Sequence, residues 1–319
     1  MASAQAASLE QSFKDDERFL WGLCYRLTGS AADADDLVQE TFVRALERPP
    51  RDQTEPLRPW LVRVALNLGR DLLRRRKRRR YVGPWLPSPI ETGDEEAPPA
   101  YEPVIEGKHT TEGRYDLMES VSFAFLLALE ALTPQQRAVL LLRDVFDYSV
   151  EETAVALGIS QPNVKTTHHR ARAAMNAYDR SRRIPTRDLK ERTRETLSRF
   201  VSGLISGDVA DVEKMLAASV HALSDGGGQY FAARKPLIGP QRVTRFFVNI
   251  ARRRAAAAKF EMRTINGVPA LIGEFGDGHP GEPPRMVLLC DIDAEGRIEA
   301  LHSVLADRKL TGIWGSKKG

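Results

Sequence analysis

Over most of the chain the apolar residues recur every three or four positions; only in the last quarter do they shift toward alternation. In LRPWLVRVALNLGRDLL the residues Trp60, Leu61, Val64, Ala65, Leu68 and Leu72 fall on one side of a helix. In LTGSAADADDLVQETFVRALE, Leu37, Val38, Phe42 and Ala45 form an apolar face, and Asp33, Asp35, Asp36, Gln39 and Glu40 a polar, acidic one. Helical periodicity returns from Tyr115 to Tyr178, punctuated by three start signals: Thr133-Pro134 with Gln136, Ser149 with Glu152, and Ser160 with Pro162. Gly158 stops the second of these helices. Two helices follow at about 194–217, and a third in GPQRVTRFFVNIARRR. The runs KFEMRTING, PALIGEF, RMVLLCDID and RIEALHSVL, bounded by NG, GDG and EG turns, predict a strand meander. Two all-α segments followed by an α+β domain make a multidomain chain.

Residues 83–114 break the periodicity. They are rich in Pro, Gly, Glu and Thr, the composition of a linker. Trp85-Leu86-Pro87 stands out within it, because a tryptophan in a linker predicts docking onto another surface. The chain has 319 residues, enough for two or three domains, and its hydrophobic and charged fractions of 42% and 28% exclude a wholly disordered chain. No apolar run approaches the roughly 20 residues of a membrane span. Cys24 and Cys290 are too far apart for a zinc-ligand spacing, and the N-terminus lacks the regions of a signal peptide. These features predict a cytoplasmic protein without membrane, metal or cofactor. The net charge is only +4, but its distribution is uneven: Arg70 to Arg80 carries eight basic residues against the single acidic Asp71. This run ends an amphipathic helix, so it predicts a nucleic-acid surface rather than a solvated tail.

SVEETAVALGISQPNVKTTHHRARAAM carries the clearest chemistry. Two short capped helices joined by a glycine turn predict a helix-turn-helix, with Val150, Ala154, Leu157, Ile159, Val164 and Ala171 packing it. Ser160, Gln161, Asn163, Lys165, Thr166, His168, Arg170 and Arg172 are left to read base edges or hold phosphates. His168 and His169 point about 100° apart on a helix and cannot readily share a metal. The acidic face around Asp36 and Glu40 lacks a partner histidine, which favours a protein-docking or solvated face over a metal or catalytic site. In the C-terminal third, Asp225, His221, Asp291 and His302 are candidate acid–base groups, but no spacing pairs them. Asp225-Gly226-Gly227-Gly228 also reads as a strand-ending loop.

Taken together, YRLTGSAADADDLVQETFVRAL, RPWLVRVALNLGRDLLRRRKRR and LTPQQRAVLLLRDVFDYSVEETAVALGISQPNVKTTHHRARAAM resemble regions 2 and 4 of an extracytoplasmic-function sigma factor of the sigma-70 family. The C-terminal part resembles a SnoaL-like domain of the NTF2-like superfamily. YVGPWLPSP and Asp225–Gly228 resemble the SigJ-type members, in which that domain is fused to the sigma factor. The resemblance implies sigma region 2 over 9–82, a linker over 83–114, sigma region 4 over 115–180 and a regulatory SnoaL-like cone over 190–319. It implies that Asp33, Asp36, Leu37, Gln39, Glu40 and Phe42 dock on the β′ clamp of core RNA polymerase. Trp60, Asn67, Asp71, Arg74 and Arg75 would meet the promoter −10 element, and the second helix of the helix-turn-helix the −35 element. Trp85, Leu86 and Pro87, with Asp225, Gly226, Gly227 and Gly228, would form a regulatory contact between domains. No enzymatic activity is expected. The competing readings are a DNA-binding regulator that works without polymerase, and a SnoaL-like enzyme or ligand-binding protein with a helix-turn-helix appended.

Overall fold

The computed structural model describes residues 16–49, 56–78, 81–93, 114–182, 186–254, 258–276 and 280–315. The chain divides into two units: Met1–Arg80 with Pro98–Arg183, and Tyr81–Ala97 with Ile184–Gly319. This differs from the expected boundaries. The two helical regions share one unit, and the start of the anticipated linker belongs to the C-terminal unit. The rest of that linker, 94–113, lies outside the described residues.

The helical unit holds α1 (16–28), α2 (Ala31–Glu47), α3 (Arg58–Arg78), α4 (Leu117–Ser120), α5 (Phe123–Ala128), α6 (Pro134–Asp144), α7 (Val150–Leu157) and α8 (Gln161–Ser181). The caps follow the sequence signals: Thr133 with Gln136 and Ser149 with Glu152 each form a reciprocal capping box. The buried face of α3 runs through Leu61, Val62, Ala65, Leu66, Leu68 and Leu73, so it is rotated from the predicted one; Val64 and Leu72 are only half-buried. Guanidinium groups, those of Arg26 and Arg137 buried and that of Arg76 half-buried, link the two helical regions. Arg26 donates to Ser120 Oγ (2.6 Å) and Leu117 O (2.9 Å). Arg137 and Arg76 donate to Leu27 O (3.0 Å) and Thr28 O (2.8 Å), carbonyls that the end of α1 leaves open. Both also reach Glu130.

The C-terminal unit contains α9 (Arg187–Ser206), α10 (Val209–Lys214), α11 (Pro240–Arg254) and α12 (Thr311–Trp314). Its six-stranded sheet has the order β2-β1-β6-β5-β4-β3. The strands are β1 (Leu216–Asp225), β2 (Leu237–Ile238), β3 (Ala258–Ile265), β4 (Val268–Phe275), β5 (Arg285–Ile292) and β6 (Ile298–Val304). β1 and β6 run parallel and the other pairs antiparallel. Neither β1 nor β2 is among the predicted strands, and the helix expected to reach residue 217 ends at Lys214. Phe200, Leu204, Phe247 and Val248 pack against Leu271, Leu288, Cys290 and Leu301 on one face of the sheet. Strand alternation turns Ile272, Val287, Leu289 and His302 to the other face, where they are also buried.

An extended segment, 81–92, runs obliquely over that second face. Leu86 N–H donates to Asp225 at the end of β1 (2.8 Å), and Ile90 exchanges hydrogen bonds with Asn266 in the β3–β4 turn (3.0 and 2.9 Å). Leu86 to Ile90 are all buried. Asn266 adopts φ +52, as the first residue of an Asn-Gly hairpin turn requires.

Gly69 lies inside α3, where a Cβ would collide with Leu27 Cδ2. Alanine gains roughly 0.5–1 kcal/mol of helix propensity, whereas overpacking costs about 1–3 kcal/mol, so the clash wins. Gly69→Ala is expected to lower stability by about 1 kcal/mol in urea unfolding; a stabilised variant would mean that α1 and α3 are not held at this close approach.

Candidate functional site

On α2 the Ser30 hydroxyl caps the helix by accepting from Asp33 N–H (3.3 Å). Asp36, Gln39 and Glu40 are exposed and Asp33 is half-buried. Leu37 and Phe42 are not part of this face: both are buried with Ala34, Val38 and Ala45, because their spacing puts them on the core side. Of the residues expected to dock, these two thus pack on the core side and do not stand on the exposed face. Instead Val43 and Leu46, 45% and 64% exposed, continue the face at helical steps from Gln39 and Glu40. The result is a mixed acidic and apolar strip, suited to a protein partner. Reading the apolar residues as one core face hid it.

Asn67, Asp71, Arg74 and Arg75 are exposed along α3, and Trp60 is half-buried in its first turn. Arg74 pairs with Asp71 (2.8 Å), and the buried Arg70 reaches Asn67 Oδ1 at 3.5 Å. This is a polar amide followed, two turns on, by a pair of exposed arginines, a combination able to hold one base edge and a nucleic-acid backbone.

The turn between α7 and α8 depends on Gly158 at φ +63, whose conformation lets Ile159 N–H reach back to Ala154 O (3.1 Å). Ser160 then caps α8 through Asn163 N–H (3.4 Å). Ser160, Gln161, Asn163, Lys165, Thr166 and Arg170 are exposed, while Val164, Thr167 and Ala171 are buried. His168 and Arg172 are committed elsewhere. His168 Nε2 lies 2.9 Å from Asp144 Oδ1, and Arg172 grips the same carboxylate through Nε (3.1 Å) and Nη2 (2.5 Å). Asp144 is fully buried at the C-terminal end of α6, where both burial and the helix dipole disfavour a negative charge. Burial would push its carboxyl up, but the hydrogen bonds from His168 and Arg172 outweigh that and hold it below the usual carboxylate range. No local sequence signal marks Asp144, because its partners lie 24 and 28 residues away.

In the C-terminal unit four donors converge on the buried Asp225 carboxylate: Tyr81 Oη (2.6 Å), Leu86 N (2.8 Å), Gly227 N (3.0 Å) and Lys309 Nζ (2.5 Å). Lys309 also donates to Leu86 O, and its ammonium lies 4.2 Å from the Trp85 ring centroid and 5.0 Å from that of Tyr81. Leu86 is completely buried; Trp85, expected to be the docked residue, is half-buried and acts through its ring face. Pro87 is buried beside it. Gly226, Gly227 and Gly228 bend the chain after Asp225, and a side chain on Gly227 would meet Ala306 Cβ at 2.8 Å. Lys309, Tyr81 and Asn266 had no place in the expected contact. His302, buried and held below its ordinary value mainly by burial, lies 4.0 Å from Asp291 and 6.1 Å from the His221 ring. Among the described residues no cluster could hold a metal ion, and no helix is long and apolar enough to cross a membrane.

Removing the Asp144 carboxylate tests the anchor on α8. Breaking a buried pair costs about 3–5 kcal/mol, but Arg172 is over a third exposed and regains water. Asp144→Ala should therefore cost about 2–3 kcal/mol at pH 7. Because the native pKa lies below the unfolded value of about 3.9, the contribution is complete above that value and disappears as pH falls through the native one. Urea unfolding at pH 7 and at stepwise lower pH checks this; a difference from wild type that stays constant into acid would contradict it.

Comparison with known proteins agrees with this geometry. The family described as sigma-70 region 2 matches residues 13–79, and sigma-70 region 4 matches residues 122–175. The ECF RNA polymerase sigma factor SigJ of Mycobacterium tuberculosis is 29% identical, over 94% of this chain and 92% of its own length. SigL of the same species is 31% identical, over 54% of this chain and 90% of its own. The crystal structure of M. tuberculosis SigJ superposes with a TM-score of 0.67 at 26% identity, covering 92% of this chain and 95% of that one. The chain therefore belongs to the ECF RNA polymerase sigma factors of the sigma-70 family, which are transcription initiation factors.

Proposed function

We propose that this sigma factor divides its task among the three helical surfaces and is controlled in cis by its C-terminal unit. The strip Asp33, Asp36, Gln39, Glu40, Val43 and Leu46 docks on the β′ clamp of core polymerase. Asn67 and Asp71, with Arg74 and Arg75 in the following turn of α3, engage the −10 strand as it opens, the cations holding backbone while the amide meets a base. The start of α8, from Ser160 to Thr166, reads the −35 element, and Arg170 holds phosphate. Working with polymerase on promoter DNA places the protein in the cytoplasm.

One observation carries the regulatory part. Segment 81–92 follows α3 in the chain, yet its Tyr81, Leu86 and Ile90 are hydrogen-bonded by Asp225, Lys309 and Asn266 of the C-terminal unit. Whatever loosens that grip changes the freedom of the chain between the two DNA-reading regions. The enzyme alternative loses support because His221, Asp225 and His302 alternate to the sheet face under this segment, away from the helix-side interior.

Asp36→Arg and Leu46→Asp should each weaken core polymerase binding at least tenfold without altering the circular dichroism spectrum, since both side chains are exposed. Asn67→Ala should leave core binding intact and reduce permanganate reactivity at the −10 element. Loss of core binding by Asn67→Ala would overturn the division between docking and opening.

Lys309→Met removes the cation from a buried pair and should cost about 3–5 kcal/mol locally. Amide exchange over residues 82–92 should accelerate at least tenfold, and promoter output in a purified transcription assay should change. Accelerated exchange with unchanged output would show that the segment is held without regulatory effect.

A further inference from the structure

A cavity of about 200 Å³ lies between α9, α11 and the helix-side face of the sheet, and none of the roles above uses it. Phe231, Phe246, Phe247, Phe260 and Phe275 line it. It is larger than the roughly 150 Å³ apolar cavities that stay dry and hold benzene. Two serines, Ser224 and its cross-strand neighbour Ser303, interrupt the apolar wall. Ser224, near the end of β1, is 2% exposed, and its Oγ has no hydrogen-bond partner. Buried hydroxyls are nearly always satisfied, so Ser224 presents a free donor and acceptor to whatever fills the space.

At the rim, Arg253 is exposed to water and donates to Asn249 O (3.1 Å), while the less exposed Arg254 is matched. Arg254 donates to Pro283 O (2.8 Å), lies 3.6 Å from Glu282 and stacks on Phe275 with its guanidinium 4.2 Å from the ring centroid. An anionic ligand would have to displace Glu282, which selects for a neutral one. Phe231 stands at the mouth, 76% exposed, its N–H bonded to Gly281 O (2.7 Å) and its ring against Gly281. A large exposed aromatic beside an apolar opening suits a surface that closes on a guest.

We propose that this cavity is a binding site for a compact, neutral, mostly apolar molecule of about ten to twelve heavy atoms carrying one hydroxyl or carbonyl oxygen, which Ser224 recognises. Ser224 and Asp225 are neighbours whose side chains leave opposite faces of β1, so the bound oxygen sits one residue from the carboxylate that holds segment 81–92. The binding claim stands whether or not that carboxylate regulates transcription.

Calorimetric titration of the full-length protein with 1-naphthol and with naphthalene tests it. Both should bind one to one, 1-naphthol at least tenfold more tightly. Ser224→Ala should abolish that preference and leave naphthalene affinity within twofold. Because the hydroxyl has no partner in the native state, Ser224→Ala should melt no lower than wild type, which separates recognition from a structural role. Ala251→Trp and Val201→Phe, from two walls of the cavity, should each block both probes. Failure of both probes to bind up to their solubility overturns the proposal. So does a 1-naphthol preference that survives Ser224→Ala, or binding that survives in whichever filling variant remains folded.

Discussion

The C-terminal unit is organised around one charge that water cannot reach. A carboxylate is removed from solvent only at a cost of several kcal/mol, and the cost is met only if its oxygens are fully bonded. Asp225 meets that condition with donors from three distant stretches of chain: Tyr81 and Leu86 from segment 81–92, Gly227 from the following loop, and Lys309 beyond β6. None of the three can leave without stranding the others. Lys309 deepens the dependence, since its own charge is shared between Asp225, Leu86 O and the faces of Trp85 and Tyr81. A polar contact of this kind fixes one arrangement where apolar packing alone would tolerate several.

The helical unit uses the same device twice. Arg26 and Arg137 are buried between the two helical regions and spend their donors on carbonyls left open at helix ends. Asp144 holds α8 against α6 through His168 and Arg172, so two of the basic side chains on α8 serve its placement. The exposed polar residues at the start of α8 remain available because the back half is anchored.

What the sequence announced was local. The capping boxes at Thr133 and Ser149, the glycine at 158 and the Asn-Gly turn at 266 formed as their spacing predicts, because each signal is complete within a few residues. The face of α3 came out rotated, since alternative apolar stripes were nearly equivalent until neighbours chose between them. β1 went unrecognised because its main partner, β6, lies about 80 residues later and nothing in ASVHALSD alone demands a strand. The importance of Trp85-Leu86-Pro87 and of Asp225 was legible as an apolar triplet in a polar stretch and an aspartate before three glycines. The pairing of Asp225 with Lys309 was not, because the two lie 84 residues apart and a lysine carries no local signature of burial.

The reach of the Asp225 contact also sets an order of events during synthesis. Leu86 and Lys309 are separated by 223 residues. At a translation rate of about 5–20 residues per second, roughly 10–45 s pass between their appearances. The helical regions, rich in short-range contacts, can fold well within that interval. The sheet cannot close until β6 has been made to lie parallel to β1. Every newly made molecule therefore passes through a period in which its helical regions are folded while segment 81–92 is still unheld, and the final grip is a timed event set by the length of chain between Leu86 and Lys309.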